Sequence, residues 1–387
     1  MKVSIAVCGR FHFANYVPIL ARQGVLSNFI CSHRINTLYG EKWVRNYWLK
    51  EYLMYAFNRL GLESKSDYWL PILHRTWAWQ ARKCLAGADI FHVMLHGTSL
   101  SLIKQARRRG AIVIGEAVNA HPDIYHAVQY EEHKKMQVPY PARLSKQLRL
   151  IVEEAKLCDY LLTPSKVVAD SYVDRGFPDS KVKVLPYGVD LKAFRPSLCL
   201  SQHKTGKFIA CCACQMIPRK GIRYIIEAWK KLNFSPDEAE LRLIGVMPIK
   251  YTSLFNHLPR GVKYYGVMNR TSLSEALRQS SVFVLPTCED GFAVVTLEAM
   301  ASGCVVVTTY ANGAAEIIQN GVDGFAVEPR SSEELGEILK RLKNHPEMCA
   351  TVSANAIAKV SGCYTWESYA QKLIGFYQEC LQQRNRL

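Results

Sequence analysis

The amino-acid sequence predicts an α/β protein of two domains, each a parallel β-sheet covered on both faces by helices. Three observations carry this. Short β-branched runs alternate with helical patterns along nearly the whole chain. The runs are apolar throughout, as in strands buried on both faces. The alternation also restarts once, after a polar stretch at 195–207 containing Pro196, Ser197, Ser201, Gln202 and Thr205. A chain of 387 residues has room for two or three domains of ordinary size.

In the first half, strands are expected at 3–8, 90–95, 111–115, 160–164 and 182–185. In the second half they are expected at 208–214, 241–246, 262–265, 282–286 and 305–308. Amphipathic helices separate them, for example at 221–232 and 272–279, and a last helix at about 366–381 has no strand after it. The N-terminal run into Gly9 reads as a buried strand entering a glycine turn. Arg10 and His12 interrupt it too soon for a signal peptide.

Hydrophobic residues make up 49% of the chain and charged residues 21%, a composition that excludes a disordered chain. Apolar runs such as 281–286 and 304–307 are far short of the ~20 residues of a membrane span. The 13 cysteines are scattered and odd in number, and Cys211-Cys212-Ala213-Cys214 lacks metal-ligand spacing. They read as core thiols in a reducing, cytoplasmic setting. Formal net charge is +16, and residues 1–150 hold 21 Lys/Arg against 9 Asp/Glu, leaving +4 for the rest. Such a basic half suits an anionic membrane surface, an anionic substrate or nucleic acid. The Arg107-Arg108-Arg109 run is short and no nucleic-acid module is visible, so no nucleic-acid partner is expected.

The chemistry concentrates in two stretches. The first ends a buried strand at Pro286 and runs through Glu289-Asp290-Gly291-Phe292-Ala293 into a helix carrying Glu298 on its second turn. Ligands of open parallel sheets bind beyond the carboxyl ends of the strands. A glycine turn lets backbone approach a ligand, and a helix start suits a diphosphate. Asp290 and Glu298 lie eight residues apart, and carboxylates are natural acceptors for sugar hydroxyls. The second stretch, Gln215-Met216-Ile217-Pro218-Arg219-Lys220-Gly221, follows the first strand of the second half and sets two cations at its mouth. Cations there would neutralise a phosphate leaving group. The bland alternative is that an acidic turn merely complements a helix dipole. No Asp-X-Asp stands at a strand end, and the pairs Glu289-Asp290, Glu153-Glu154 and Glu131-Glu132 are adjacent and diverge. No metal or other cofactor is therefore expected.

These stretches resemble glycosyltransferase family 4, whose members have the GT-B fold. The family pattern of an acid, Gly-Phe-Gly and a later glutamate is matched by Asp290, Gly291-Phe292-Ala293 and Glu298, followed by Ala299-Met300-Ala301-Ser302-Gly303. Pro218-Arg219-Lys220-Gly221 resembles the Lys-Gly phosphate motif. Residues 185–190 with Phe194 resemble the interdomain hinge. The likeness is good over 159–366 and loose before that. It implies GT-B architecture, two Rossmann-like domains facing across a cleft: residues 1–190 for the acceptor, 191–363 for the donor, and a helix at 364–387 crossing back to the first.

The resemblance also implies roles. Glu298 should hold the donor ribose, and Asp290 the hydroxyls of the transferred sugar. Lys220 with Arg219 should hold the diphosphate. Gly291, Phe292, Ala293 and Glu316 should lie near the donor. His121, in Asn119-Ala120-His121-Pro122, resembles the histidine at the catalytic centre, although His12, His92, His96 and His126 compete with it. Glu131-Glu132 is also family-like. Gly9, Arg10 and His12 would face the acceptor. Three departures stand out: Asp290 replaces the usual glutamate with Glu289 just before it, so either acid could meet the sugar; Ala293 replaces the second glycine; Gln215 replaces an arginine.

The implied activity is retaining transfer of a hexose from a UDP- or GDP-sugar to a glycan or lipid-linked acceptor, in cell-surface polysaccharide or glycolipid synthesis. A nucleotide-sugar epimerase or glycosyl phosphorylase of the same fold is the alternative, and a basic nucleic-acid-binding protein ranks below both. Residues 39–79 hold five of the seven tryptophans, Trp43, Trp48, Trp69, Trp77 and Trp79, among cations that include Lys42, Arg45 and Lys50. This reads either as helices packed on a sheet or as a face for anionic lipid. The second reading would place the chain peripherally on the inner face of the membrane.

Overall fold

The computed structural model describes residues 1–9, 11–61, 66–196 and 206–385. Arg10 and most of the polar stretch expected to divide the domains, 197–205, lie outside them. The chain forms two compact units. One comprises Met1–His126, Pro141–Leu185 and Trp366–Leu387, and the other Ala127–Tyr140 and Pro186–Thr365.

The first unit begins with β1 (Val3–Val7), α1 (Phe13–Arg22), β2 (Leu26–Cys31) and β3 (Val44–Asn46). It continues with α2 (Leu49–Arg59), α3 (Ser66–Ala81), β4 (Ile90–Met94), α4 (Leu100–Arg108) and β5 (Ile112–Glu116). Then come α5 (Pro122–Lys135), which groups with the second unit from Ala127 onward, α6 (Lys146–Lys156), β6 (Tyr160–Thr163), α7 (Lys166–Val173) and β7 (Val182–Val184). The sheet is seven-stranded in the order β3-β2-β1-β4-β5-β6-β7, with parallel pairing throughout. Every residue of β1, β4 and β5 is buried, which is why these runs read as continuously apolar. The core gathers around Trp77, Phe91, Leu102 and Tyr172. Ser145 and Ser165 cap α6 and α7 through their hydroxyl oxygens.

The second unit runs β8 (Phe208–Ala213), α8 (Ile222–Leu232), β9 (Ala239–Ile244), β10 (Val262–Gly266), α9 (Arg270–Arg278) and β11 (Val282–Leu285). It closes with α10 (Val294–Ala301), β12 (Val305–Thr309), β13 (Phe325–Val327), α11 (Ser332–Asn344) and α12 (Pro346–Cys363). Its six strands are parallel in the order β10-β9-β8-β11-β12-β13. Trp229, Tyr224, Leu241 and Leu339 anchor its core.

The last helix, α13 (Trp366–Asn385), belongs to the first unit. Trp366, Tyr369, Phe376 and Tyr377 are buried there. Tyr369 packs on Tyr16 of α1, and the Tyr377 hydroxyl meets His92 Nδ1 at 2.6 Å.

In both sheets the strand order reverses direction once, between β1 and β4 and between β8 and β11. Connections leave the sheet in opposite senses at such a point and open a crevice at the carboxyl ends of the two central strands. The stretches 215–221 and 286–293 follow β8 and β11, so they flank the crevice of the second sheet.

Candidate active site

Backbone contact locks these two loops together. A short 3-10 turn, Pro218–Lys220, ends at Gly221 with φ of 67°, and a Cβ there would stand 1.9 Å from the Pro286 carbonyl oxygen. Glycine is required both for its left-handed backbone and for this approach. The Arg219 carbonyl accepts from Cys288 N–H at 2.8 Å and from the Thr287 hydroxyl at 3.2 Å.

On this frame the adjacent acids diverge. Glu289 is buried, and Arg219 Nη1 donates to its carboxylate at 2.9 Å and to its carbonyl at 2.6 Å. Asp290 instead receives Lys220 Nζ across the two loops. Arg219 thus braces the 287–290 turn from within, while Lys220 and Asp290 form the charged pair beside it. Phe292 is buried edge-on against Tyr187, with ring centroids 5.6 Å apart.

Asn312 holds the start of α10 and was not singled out by the sequence. It is fully buried. Its Oδ1 accepts from Ala293 N–H and Ala314 N–H, both at 3.1 Å, while Nδ2 donates to Thr296 and Thr308. An asparagine in a Gly-Ala-rich segment carries no signal of such a role until the fold brings it to the helix start. The short turn Gly313–Ile317 follows and leaves Glu316 exposed.

Glu298 lies on α10, half-buried, and its carboxylate has no hydrogen-bond partner among the described residues. Burial pushes its carboxyl up to about 7, opposed by Arg270 and reinforced by Asp190. Arg270 is itself paired with Asp190 at 3.0 Å and lies over the Phe194 ring. A carboxylate in such a place costs desolvation energy unless hydroxyl or amide donors reach it.

In the first unit, the end of β1 leads to Gly9, whose φ is 142°. His12 Nε2 meets Glu116 at 2.7 Å, and His92 Nε2 meets the other carboxylate oxygen at 3.0 Å. The Glu116 carboxyl, fully buried, is held well below the usual range by these two imidazoles against the opposing effect of burial. Trp366 stacks on the His12 ring at 5.9 Å with an interplanar angle of 3°. His12 therefore belongs to a buried network that ties α13 to the sheet.

His121 is placed differently from its fellow candidates. It is buried at the start of α5, where its backbone N–H donates to Ser171 of α7. Its ring stands edge-on to Tyr172 at 5.2 Å, and Nδ1 faces Asp123 at 3.4 Å. It lines a cavity of about 280 Å³ with Lys156, Arg175 and Lys181 on the flank of the sheet. None of these described contacts brings it to Gly9 or His12. Glu131 and Glu132 group with the second unit, where Arg330 reaches them at 2.8 and 2.7 Å and Tyr224 donates to Glu132 at 2.9 Å.

A further polar cluster, undetected in the sequence, lies at the ends of β1, β2 and β4. Lys50, buried, pairs with Glu51 at 2.7 Å, and His33 approaches Glu51 at 3.3 Å. His96 and His74 are pushed down to about 4 and about 3, chiefly by burial and then by Lys50. These residues are spread over some sixty positions, so no motif announces them.

Two parallel sheets, each with its strand order reversing once, and a cation–carboxylate pair and helix start at the switch point of the second, have the architecture of the GT-B fold. A Glycosyltransferase Family 4 model matches residues 12–193, and a Glycosyl transferases group 1 model matches residues 201–359. The chain belongs to the family 4, group 1 glycosyltransferases. It is 26% identical over 211 residues to the GDP-mannose-dependent monoacylated alpha-(1-6)-phosphatidylinositol monomannoside mannosyltransferase of Corynebacterium glutamicum, covering 50% of this chain and 55% of the relative. It is 23% identical over 284 residues to mannosylfructose-phosphate synthase of Agrobacterium fabrum, covering 65% and 62%. The match thus spans little more than half the length of these relatives. Anabaena HepE in complex with UDP-glucose shares the fold at TM-score 0.68 and 16% identity, over 98% of this chain and 100% of that one. Sucrose-phosphate synthase from Thermosynechococcus elongatus shares it at TM-score 0.71 and 16% identity, over 99% of each chain.

Proposed function

We propose that this chain transfers a hexose, with retention at the anomeric carbon, from a UDP- or GDP-sugar to a hydroxyl of a glycan or lipid-linked acceptor. The observation that carries the reading is the Lys220–Asp290 pair at the switch point of the second sheet, with Glu298 on the helix that follows. An arriving diphosphate draws Lys220 away from Asp290. The freed carboxylate then accepts hydrogen bonds from the sugar, and Glu298 accepts them from the ribose. Gly291, Phe292, Ala293 and Glu316 complete the surroundings of the donor, and Arg219 acts through Glu289 by holding the turn in place.

The bond between the anomeric carbon and the diphosphate oxygen breaks. The acceptor oxygen bonds to that carbon on the same face, and its proton passes to the departing phosphate. Lys220 and the α10 start offset the charge that develops on the leaving group, so no metal is needed for that purpose. Gly9, Arg10 and His12 mark the acceptor side, and His121 braces the 117–122 turn. The acceptor class fits polysaccharide or glycolipid synthesis at the cytoplasmic face of a membrane.

The test is donor hydrolysis and stabilisation with UDP-glucose and GDP-mannose in EDTA. One donor should raise the melting temperature and release nucleoside diphosphate slowly without metal. Lys220→Ala should slow that release by about a hundredfold, the range for losing one charge-stabilising donor. Failure of both donors, or activity that returns only with magnesium or manganese, overturns the reading.

A further inference from the structure

Helices α3 and α4 of the first unit border a groove of about 490 Å³ whose walls include Arg75, Trp79, Arg82, Ser101, Lys104 and Arg108. Four of these are cations and none is an acid. Among the described residues, no carboxylate lies within ion-pair reach of any of the four. A second recess of about 220 Å³ shares Arg75, Ser101 and Lys104 and adds Lys146. Like charges gathered without counter-ions repel one another, so this surface is most stable when a dense anionic surface covers it.

The aromatic cluster noted in the sequence divides here. Trp77 is wholly buried in the core, and Lys50 is buried against Glu51, so neither belongs to a surface. Trp79, by contrast, is 62% exposed, and the Arg82 guanidinium stands 5.0 Å from its ring centroid. Ile72 on the same helix is exposed, as are Leu60, Trp48 just before the neighbouring α2, and Tyr52 and Tyr55 on it.

We infer that this α2–α3–α4 face rests on an anionic phospholipid bilayer, with phosphates over the Arg75–Arg108 groove and Trp79 and Ile72 in the headgroup region. Charge alone would suit any polyanion. The exposed aliphatic side chains decide between occupants: Ile72 and Leu60 gain nothing from a soluble polyanion but lose water contact at a membrane interface. No described helix is long and apolar enough to cross a membrane, so the contact is peripheral. The inference does not depend on the donor site, because binding is read without turnover.

Flotation with vesicles of phosphatidylcholine alone, and of phosphatidylcholine mixed evenly with phosphatidylglycerol, tests it on the full chain. Binding should require the acidic lipid and weaken with salt. Each cation near such a surface contributes about 1 kcal/mol, so Arg82→Glu with Arg108→Glu should weaken binding by at least about thirtyfold. Trp79→Ala, which leaves the charge intact, should weaken it several-fold. Lys230→Glu with Lys231→Glu, the same charge change on the second unit, should leave binding near wild type. Equal binding to both vesicle types overturns the inference, as does equal loss in the two charge-reversed variants. So does a Trp79→Ala variant that binds like wild type while an oligonucleotide binds as tightly as the vesicles.

Discussion

Glu289 and Asp290 are neighbours with opposite surroundings, and that difference separates stability from turnover. Glu289 is buried and balances the buried Arg219 guanidinium. Glu289→Gln leaves that cation without its counter-charge, a loss of about 3 kcal/mol or more for a buried pair. It should melt well below wild type and still turn over donor. Asp290→Asn leaves the Arg219 brace intact and removes the carboxylate beside Lys220. It should melt near wild type and lose about a hundredfold in turnover. Paired melting and donor-release measurements check this, and the reverse order of turnover would put Glu289 against the sugar. Glu298 supplies a pH dependence. Its carboxyl titrates at about 7 in the folded chain against 4.5 as its ordinary value, chiefly because it is buried. The folded state therefore holds this proton more tightly than the unfolded state. The stability tied to that proton is complete below about 4.5 and is lost as pH rises through about 7. Glu298→Gln, which cannot ionise, should escape the loss and gain on wild type steadily across that window. Denaturant titrations of both proteins without donor should diverge as pH rises; parallel curves would contradict the placement of Glu298.

At the scale of elements, what the sequence disclosed follows burial. The central strands β1, β4, β5, β8, β11 and β12 are buried at every residue and read as unbroken apolar runs, so their positions were legible to within a residue or so. β2, β3 and β13 were not. The first half of β2 is only partly buried, and β3 is three residues at a sheet edge with a central exposed Arg45. β13 is buried but only three residues long, too short for a pattern. The local structure of the loops at 215–221 and 286–293 was legible because each is a strand end, a turn and a helix start within a dozen residues. Asn312, which caps α10 from the loop after β12, was not, since its role exists only once that loop crosses the sheet end. The same holds for Glu116, which lies 104 residues from His12. His121 shows the reverse case. A histidine just after a strand suggested the sheet rim, but the first turn of α5 carries its ring onto α7.

Across the whole molecule, the two units carry contrasting surfaces and separate cores. The excess of cations falls in the first 150 residues, whereas the loop pair proposed to hold the diphosphate lies wholly in the second unit. A free nucleotide could therefore be drawn to either, and charge favours the wrong one. The decisive difference is preorganisation. In the second unit Gly221, Pro286, Thr287 and Asn312 fix the loops by backbone and buried side-chain bonds before any ligand arrives. The α3–α4 groove offers cations on long, unpaired side chains, which lose rotamer freedom on binding a small anion. Hydrogen exchange with UDP or GDP at saturating concentration should thus show its strongest protection in peptides spanning 215–221 and 286–298. Peptides of 72–82 and 100–108 should change little. Lys220→Ala should erase the footprint on the second unit without transferring it to the first. Protection centred on α3 and α4 would mean that bulk charge, rather than the fixed loop pair, selects the nucleotide, and would remove the donor role from the second sheet.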